Sequence, residues 1–335
     1  ITVLFNGSLS PSQTLNISAA LDGRKVIDRT TLILDIFAGR ATSAEGKIQV
    51  ELAQLKYLYP RLKGKGEALS RLGGGIGSRG PGETQLETDR RHIRTRINYL
   101  EQRLKDTERR RALTVKRREK RNIRTIALVG YTNTGKSTLM NRLTGAGVLE
   151  KDALFATLDP TARMMNIGGL DFLLVDTVGF LQDLPHELIE AFRSTLESAL
   201  NCDLALIVCD ATGDHDMQFT TTMQTLEGLG FDRPYLKVLN KCEDIEDLTP
   251  YADFVCISAK YGQNIDGLKQ AVYDVFKERF TDCTLCVPYS EVSEFSSLAE
   301  DIAEHSRRYG EDGIEIDCTV ENTRLARFKK YIKRA

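Results

Sequence analysis

Four short groups of residues have the types and spacing needed to hold a nucleoside triphosphate. The first, residues 130–137, spells G-x-x-x-x-G-K-S between the apolar run Ile126–Val129 and a helical segment. This is the phosphate-binding P-loop in its strand–loop–helix setting. Its backbone N–H groups and the helix N-terminus cradle phosphates, while Lys136 reaches the β- and γ-phosphates and the Ser137 hydroxyl ligates Mg²⁺. The nucleotide-binding residues predicted here are Gly130, Asn133, Thr134, Gly135, Lys136, Ser137 and Thr138.

The other three groups also follow apolar runs typical of buried strands. Asp176 ends "FLLVD", and Gly179 comes three residues later. We expect Asp176 to hold Mg²⁺ through water and the Gly179 N–H to sense the γ-phosphate. "YLKVLNK" delivers Asn240 and Lys241 toward a guanine, and "FVCISAK" delivers the backbone of Ser258, Ala259 and Lys260. Open α/β sheets bind ligands at the carboxyl ends of their strands, so four such groups together favour a GTPase.

A loop threonine must also close on Mg²⁺ and the γ-phosphate in such a protein. The segment "LFATLDPTARMM" supplies Thr157, which has the better spacing, and Thr161, which is the alternative. We therefore predict Mg²⁺ ligation by Ser137 and Thr157. The residues predicted to switch with the nucleotide are Thr157, Gly179 and Phe180.

Two positions depart from the common GTPase pattern. Phe180 stands where many GTPases use a Gln to orient the attacking water, and its side chain cannot form a hydrogen bond. Glu243 stands where an Asp accepts two hydrogen bonds from guanine, and its stem is one methylene longer. We therefore predict slow intrinsic hydrolysis, and a preference for GTP with weakened guanine selectivity. A K⁺ ion at Asn133 is a further device that the sequence allows.

A basic segment with a second glycine-rich loop precedes the P-loop. Residues 61–124 contain 20 Lys and Arg against 8 Asp and Glu, although the whole chain has a net charge of −1. Such asymmetry indicates a polyanionic partner, and its alternative is a solvated helix. No strand leads into "RLGGGIGSRGPGE" and no GK[ST] ends it, which argues against a second nucleotide site. Its glycines would let the backbone lie close to an irregular polyanionic surface, and the alternative is a disordered connector on a solvated coiled coil. The candidate contacts of such a surface are Arg71, Gly73, Gly74, Gly75, Arg79, Arg90, Arg91 and Arg94.

The chain divides into four predicted parts. Residues 1–41 form the remnant of an N-terminal α/β subdomain, and residues 42–121 form an antiparallel helical hairpin with a tip loop at 63–83. Capping boxes at Thr42 with Glu45 and Thr84 with Glu87 open its two helices. Residues 122–280 form a P-loop GTPase domain with a mainly parallel sheet. Residues 281–335 form a small α+β module, in which we predict a helix over "EVSEFSSLAEDIAEH".

The overall composition argues against a membrane-spanning protein and against a disulfide-bonded one. No apolar run approaches the roughly 20 residues of a membrane span. The seven cysteines form no disulfide framework, which is typical of a reducing cytoplasm, and we assign no metal to the isolated pair Cys283 and Cys286. Because the chain opens "ITVLF" without a Met, we expect it to begin inside a longer protein.

Longer segments point to one family. "GRATSAEGKIQVELAQLKYLYPRL", "GGGIGSRGPGETQLETDRRHIR", "LFATLDPTAR" and "DTVGFLQDLPHELIEAFRSTLE" resemble the HflX family of ribosome-associated GTPases. The resemblance implies a monomeric cytoplasmic GTPase that binds the large ribosomal subunit and its rRNA near the peptidyl-transferase centre. It implies that rRNA is the surface that the glycine-rich segment and its arginines contact. It implies that stalled ribosomes are split under stress, and that GTP, and in some members ATP, is hydrolysed. It also implies that the front of the N-terminal domain is missing here.

Two other hypotheses remain open. A non-hydrolysing RNA-binding or ribosome-binding protein would use nucleotide only as a structural ligand, which Phe180 and Glu243 favour. The residues that oppose that hypothesis are the intact Lys136, Ser137, Thr157 and Asp176. A ribosome-assembly GTPase would share the chemistry and differ only in when it binds.

Overall fold

The computed structural model describes residues 1–70, 81–120, 123–145, 161–177, 179–180, 196 and 199–333. Within these ranges, the side chains of residues 63–70, 81–86, 108, 111–120 and 300 are excluded. The chain forms two compact units. The first contains residues 1–112, and the second contains most of the residues that follow.

The first unit begins with a small α/β element. Strand β1 (Thr2–Phe5) pairs in parallel with β2 (Lys25–Asp28), and helices α1 (Pro11–Ala20) and α2 (Arg29–Arg40) follow them. Ser10 caps α1 by accepting from the Gln13 N–H, in a complete capping box with Pro11 next to it. The buried Asp28 caps α2 and also accepts from the Leu9 N–H and the Tyr57 hydroxyl. These strands and helices form a small α/β element.

Two long helices complete the first unit, α3 (Ala44–Ser70) and α4 (Pro81–Lys120). The buried Leu52, Leu100 and Leu104 pack together, with Ile48, Leu55 and Ile97 around them. Glu51 pairs with Arg96 and Tyr59 lies beside Arg90, so the helices run antiparallel as predicted. Leu58 continues the apolar stripe of α3 at helical spacing but is 42% exposed.

The predicted helix ends need correction. Ser43, not Thr42, accepts from the Gly46 N–H at the start of α3. Helix α3 continues through Pro60 to Ser70, and α4 begins at Pro81 rather than at Thr84. Proline is favoured in the first turn of a helix because it has no N–H to leave unbonded. The predicted tip loop at 63–83 is therefore too long at both ends, and residues 71–80 lie outside the described part of the chain.

The second unit is built on a six-stranded sheet with the order β4-β5-β3-β6-β7-β8. Strand β4 (Thr161–Ile167) is antiparallel to β5 (Leu170–Asp176). The other strands are parallel: β3 (Arg124–Gly130), β6 (Leu204–Asp210), β7 (Tyr235–Asn240) and β8 (Val255–Cys256). Helices α5 (Lys136–Thr144), α6 (His215–Gly228) and α7 (Ile265–Lys277) belong to the same unit. The predicted mainly parallel sheet is confirmed, and its central strands are almost wholly buried because their runs are apolar throughout.

Residues after α7 form a second, smaller sheet. Strands β9 (Phe280–Pro288), β10 (Ile302–Tyr309) and β11 (Gly313–Glu321) are antiparallel in the order β10-β11-β9. Two short helices, α8 (Val292–Ser296) and α9 (Leu325–Phe328), pack Phe295 and Phe328 into its core. The helix predicted over residues 291–305 is wrong beyond its first turns, because Ile302 begins the strand that pairs with β11. Among the described residues, no helix is long and apolar enough to cross a membrane.

Candidate nucleotide-binding site

The topology brings the four sequence groups to one edge of the six-stranded sheet. Strands β3, β5, β6 and β7 end at Gly130, Asp176, Asp210 and Asn240, and parallel pairing places their carboxyl ends side by side. In the sheet these strands lie in the order β5-β3-β6-β7, which differs from their order along the chain. No single motif predicts this order. The site therefore lies where open α/β sheets bind their ligands.

The P-loop joins β3 directly to α5. Gly135 precedes the helix with a φ of 87°, and a side chain there would place its Cβ 2.4 Å from Asn240 Nδ2. Glycine is thus required both by the left-handed backbone and by the close neighbour. Thr134 is buried, and its hydroxyl donates to the Tyr131 carbonyl at 3.1 Å. These contacts fix the loop that presents N–H groups to a phosphate.

Lys136 lies folded within the P-loop. Its ammonium donates to the Gly130 and Tyr131 carbonyls at 3.1 and 2.7 Å, and the residue is 7% exposed. Burial lowers the pKa of Lys136 to about 8, although the nearby Asp176 carboxylate opposes part of that fall. A phosphate at this position would compensate the buried charge more strongly than two neutral carbonyls do.

Ser137 and Asp176 meet across the predicted metal position. The Ser137 hydroxyl donates to Asp176 Oδ2 at 2.7 Å, and Asp176 is 1% exposed at the end of β5. A hydroxyl and a carboxylate are the hard oxygen donors that Mg²⁺ prefers, so the described residues fit that ion. Such an ion neutralises charge that develops on the β- and γ-phosphate oxygens. Thr161 begins β4 opposite Asp176 in register, whereas Thr157 lies outside the described residues.

Gly179 packs directly against the P-loop. A Cβ built on it would lie 2.8 Å from Thr132 Cα, 2.9 Å from Thr132 Cγ2 and 3.1 Å from Lys136 Nζ. Any side chain at this position would collide with the loop backbone. Gly179 therefore lies beside the Lys136 ammonium, as its predicted role at the γ-phosphate requires.

Asn240 connects two of the predicted nucleotide-binding segments. Its Nδ2 donates to the Thr134 carbonyl at 2.8 Å, and its Oδ1 accepts from the Ala259 N–H at 2.9 Å. The side chain is only 3% exposed, so both bonds are shielded from water. Asn240 thus holds the P-loop and the segment 258–260 in one arrangement.

Lys241 extends over the P-loop from a strained backbone with a φ of 67°. Its ammonium donates to the Asn133 carbonyl at 3.0 Å and to Asp210 Oδ2 at 2.6 Å. Burial alone would raise the pKa of Asp210, but hydrogen bonds from Lys241 and Thr212 outweigh burial and lower it. Sequence reasoning missed Asp210, although its place at the end of the apolar run "LALIVCD" is the same signal that identified Asp176.

Arg142 is a second residue that sequence reasoning missed. It lies on α5, and its guanidinium donates to the carbonyls of Ala259, at 3.0 Å, and Lys260. Ser258 is fully buried, and its N–H donates to the Gln263 carbonyl at 3.2 Å. The P-loop helix therefore fixes the backbone of segment 258–260, and no motif in the sequence signals this bond.

Glu243 follows this cluster in the chain. It is partly buried, and its Oε2 is shielded from solvent with no hydrogen-bond partner among the described residues. A buried carboxylate oxygen without a partner is costly, and the N–H groups of a guanine edge would satisfy it. The guanine role predicted for Glu243 stays a prediction.

The predicted RNA-contacting residues divide into two sets. Arg71, Gly73, Gly74, Gly75 and Arg79 lie outside the described residues. On α4, Arg91 and Arg94 are exposed, whereas the Arg90 guanidinium lies 5.2 Å from the centre of the Tyr59 ring and is partly buried. Of these three arginines, Arg91 and Arg94 are thus the better placed for a polyanion.

Comparison with known proteins finds relatives along most of the chain. Three family models match consecutive parts of the chain: "GTP-binding GTPase N-terminal" over residues 1–38, "GTP-binding GTPase Middle Region" over 40–118 and "50S ribosome-binding GTPase" over 125–241. GTPase HflX of Caldanaerobacter subterraneus subsp. tengcongensis is 46% identical over 98% of this chain and 78% of its own length. GTPase HflX of Escherichia coli is 45% identical over 86% and 70%.

Among solved structures, the GDP complex of a GTP-binding protein from Sulfolobus solfataricus is 27% identical, with a TM-score of 0.48 over 83% of this chain and 81% of that one. The prediction of a P-loop GTPase is confirmed by the curated relatives and by the family models. The chain belongs to the HflX family of GTPases.

Proposed function

We propose that this GTPase binds the large ribosomal subunit through the helices α3 and α4 and splits or clears ribosomes. Binding stimulates hydrolysis of GTP to GDP, and hydrolysis releases the factor. The observation that supports this most directly is the match of residues 125–241 to a model described as a 50S ribosome-binding GTPase. A ribosomal partner also entails a cytoplasmic location.

The charge of α4 supports an RNA partner. Arg91, Arg94, Arg103, Lys105 and Arg109 are all exposed on this helix. Cations arranged along a helix neutralise phosphates and release their counterions, which produces affinity that falls steeply with salt. The rRNA is the polyanion that a ribosome presents, and the glycine-rich segment 71–80 adjoins the same helix in sequence.

The nucleotide cycle follows from the residues around the P-loop. Lys136 and the Gly179 N–H bind the γ-phosphate, Ser137 and Asp176 hold Mg²⁺, and Thr157 closes when GTP is bound. Because Phe180 cannot orient water, turnover by the protein alone is slow and the ribosome accelerates it. A K⁺ ion held at Asn133 would add positive charge beside the phosphates; equal hydrolysis rates in K⁺ and Na⁺ would contradict that role.

Hydrolysis of GTP by the purified protein, with and without large ribosomal subunits, tests this function. We expect strong stimulation by the subunits. Binding to subunits without any stimulation would contradict ribosome-activated hydrolysis and favour nucleotide-dependent binding alone. Splitting is followed separately, by sedimentation of intact ribosomes incubated with the protein and GTP; intact ribosomes at the end of the incubation would favour a role in assembly.

A charge-reversal pair identifies the binding surface. Arg91→Glu with Arg94→Glu should weaken subunit binding, and the dependence of log affinity on log salt should become shallower by about one for each lost contact. Lys269→Glu with Lys277→Glu on α7 changes the net charge by the same amount at another helix and serves as the control. Equal loss in both variants would assign the effect to net charge rather than to α4.

A further inference from the structure

Phe180 leaves the attacking water without the side chain that orients it in many GTPases. Hydrolysis breaks the bond between the γ-phosphorus and the β–γ bridging oxygen and forms a bond from the γ-phosphorus to the water oxygen. The proton of the water passes to a phosphate oxygen, and GDP leaves. A hydroxyl can both accept from the water and donate, so it can hold the water in line. A hydroxyl side chain near the γ-phosphate position could therefore take the place of the glutamine.

Thr132 lies at the required position. It is the third residue of the P-loop, and its Cα and Cγ2 would be 2.8 and 2.9 Å from a Cβ built on Gly179. The Lys136 ammonium lies 3.1 Å from the same point. Because Lys136 and the Gly179 N–H are expected to meet the γ-phosphate, Thr132 lies at that end of the nucleotide.

The Thr132 hydroxyl is also chemically unusual within this site. Thr132 is 6% exposed, and its Oγ1 is buried with no hydrogen-bond partner within the described part of the chain. The hydroxyls of two nearby buried threonines are bonded: Thr134 to the Tyr131 carbonyl at 3.1 Å and Thr177 to the Leu128 carbonyl at 2.7 Å. A buried hydroxyl without a partner costs stability, so such groups are rare unless they have another task.

We propose that the Thr132 hydroxyl orients the attacking water for hydrolysis, in place of the glutamine that Phe180 replaces. Thr132 is a positioning residue and is not consumed or ionised in the reaction. This inference rests on the GTP hydrolysis of the proposed function, but it does not depend on activation by the ribosome.

Thr132→Val tests the proposal because valine keeps the shape and removes the hydroxyl. We expect single-turnover hydrolysis by the protein alone to fall about tenfold or more, ~1.4 kcal/mol in activation free energy, with GTP affinity within about twofold of wild type. Thr132→Ser should restore most of the rate because it returns the hydroxyl. Thr144→Val is the matched control, since it removes a hydroxyl that bonds the Met140 carbonyl on the same helix, α5.

A second readout follows the arrangement of the water rather than the rate. Fluorescent GDP with aluminium fluoride reports a transition-state-like complex that needs an ordered nucleophile. Wild type, Thr132→Ser and Thr144→Val should form this complex, and Thr132→Val should not. The proposal would be overturned if Thr132→Val hydrolysed GTP at the wild-type rate and formed the complex. A loss of rate that Thr132→Ser does not restore would also overturn it. Absence of stimulation by ribosomal subunits in wild type would instead overturn the proposed function.

Discussion

Replacing Asn240 by alanine should separate the P-loop from the segment 258–260. The asparagine amide makes one hydrogen bond to each segment. Its Nδ2 donates to the Thr134 carbonyl at 2.8 Å, and its Oδ1 accepts from the Ala259 N–H at 2.9 Å. Alanine removes both bonds and leaves a buried carbonyl and a buried N–H without partners. The phosphate side and the base side of the site would then have to be ordered by the nucleotide itself.

The expected loss can be worked from these two bonds. Removing one partner of a buried hydrogen bond costs about 1–3 kcal/mol, because the group left behind stays buried without a partner. Because Asn240 is 3% exposed, water does not easily replace either bond. For the two groups together we therefore expect a loss of about 2–6 kcal/mol in the free energy of unfolding. At about 2–4 °C per kcal/mol for a unit of this size, the melting temperature should fall by roughly 4–24 °C.

Two assays follow the variant: calorimetric unfolding without nucleotide, and titration with fluorescent GDP. Affinity for GDP should fall by about tenfold or more, because part of the binding energy is used to order the two segments. Asn240→Asp keeps the acceptor for the Ala259 N–H but places a carboxylate against the Thr134 carbonyl. Its GDP affinity should therefore fall while the bond to segment 258–260 persists.

Asn166 offers a matched control. Its amide also makes two hydrogen bonds: Nδ2 donates to Asp171 Oδ1 at 2.8 Å, and Oδ1 accepts from the Gly169 N–H at 3.1 Å. Asn166 is exposed, however, and lies at the end of the β4–β5 hairpin that is remote from Asp176. Asn166→Ala should change GDP affinity little. A wild-type GDP affinity in Asn240→Ala would contradict this prediction. So would a loss of GDP affinity in Asn166→Ala as large as that in Asn240→Ala.

Further predictions concern the base and the buried lysine. Glu243→Asp should shorten the side chain to the usual length and raise the ratio of GTP to ATP affinity by roughly 5- to 150-fold, about 1–3 kcal/mol, in competition titrations. Asp244→Asn is the control, and an unchanged ratio would count against a role for Glu243. The pKa of Lys136 is lowered to about 8, so at pH 8 about half of the protein carries a neutral amine there. Bound phosphates favour the charged form, so GTP binding should take up about half a proton at pH 8 and little at pH 6.5, and affinity should weaken as pH rises through 8. Calorimetry in two buffers of different ionisation enthalpy measures this uptake, and an uptake that does not vary with pH would exclude Lys136 as its source.

The sequence predicted the residues of the site better than their arrangement. The P-loop, Asp176 and Asn240 follow short apolar runs typical of buried strands, and their spacing indicates the type of site. The small α/β element at residues 1–41 was also predictable, because Ser10 and Asp28 are strong helix caps. These features depend on local chemistry, which a single chain displays directly.

The structures that were predicted wrongly are set by contacts with residues distant in the chain. The segment at Ile302 has a helical pattern of apolar residues, but it becomes a strand because β11 provides hydrogen bonds along its length. Leu58 continues the apolar stripe of α3 yet remains exposed. Local pattern limits which structures are possible, and tertiary pairing selects among them.

By itself the sequence determined the GTPase family and where the basic segment lies, and it predicted which residues meet the phosphates. Only the tertiary structure decided that Asn240 bonds both the P-loop and Ala259, that Arg142 holds the carbonyls of the 258–260 segment, and that Asp210 pairs with Lys241. It also placed Thr132 against Gly179 beside Lys136. Each of these contacts joins residues far apart in the chain, and their distances are set by strand order and register, which no local pattern encodes.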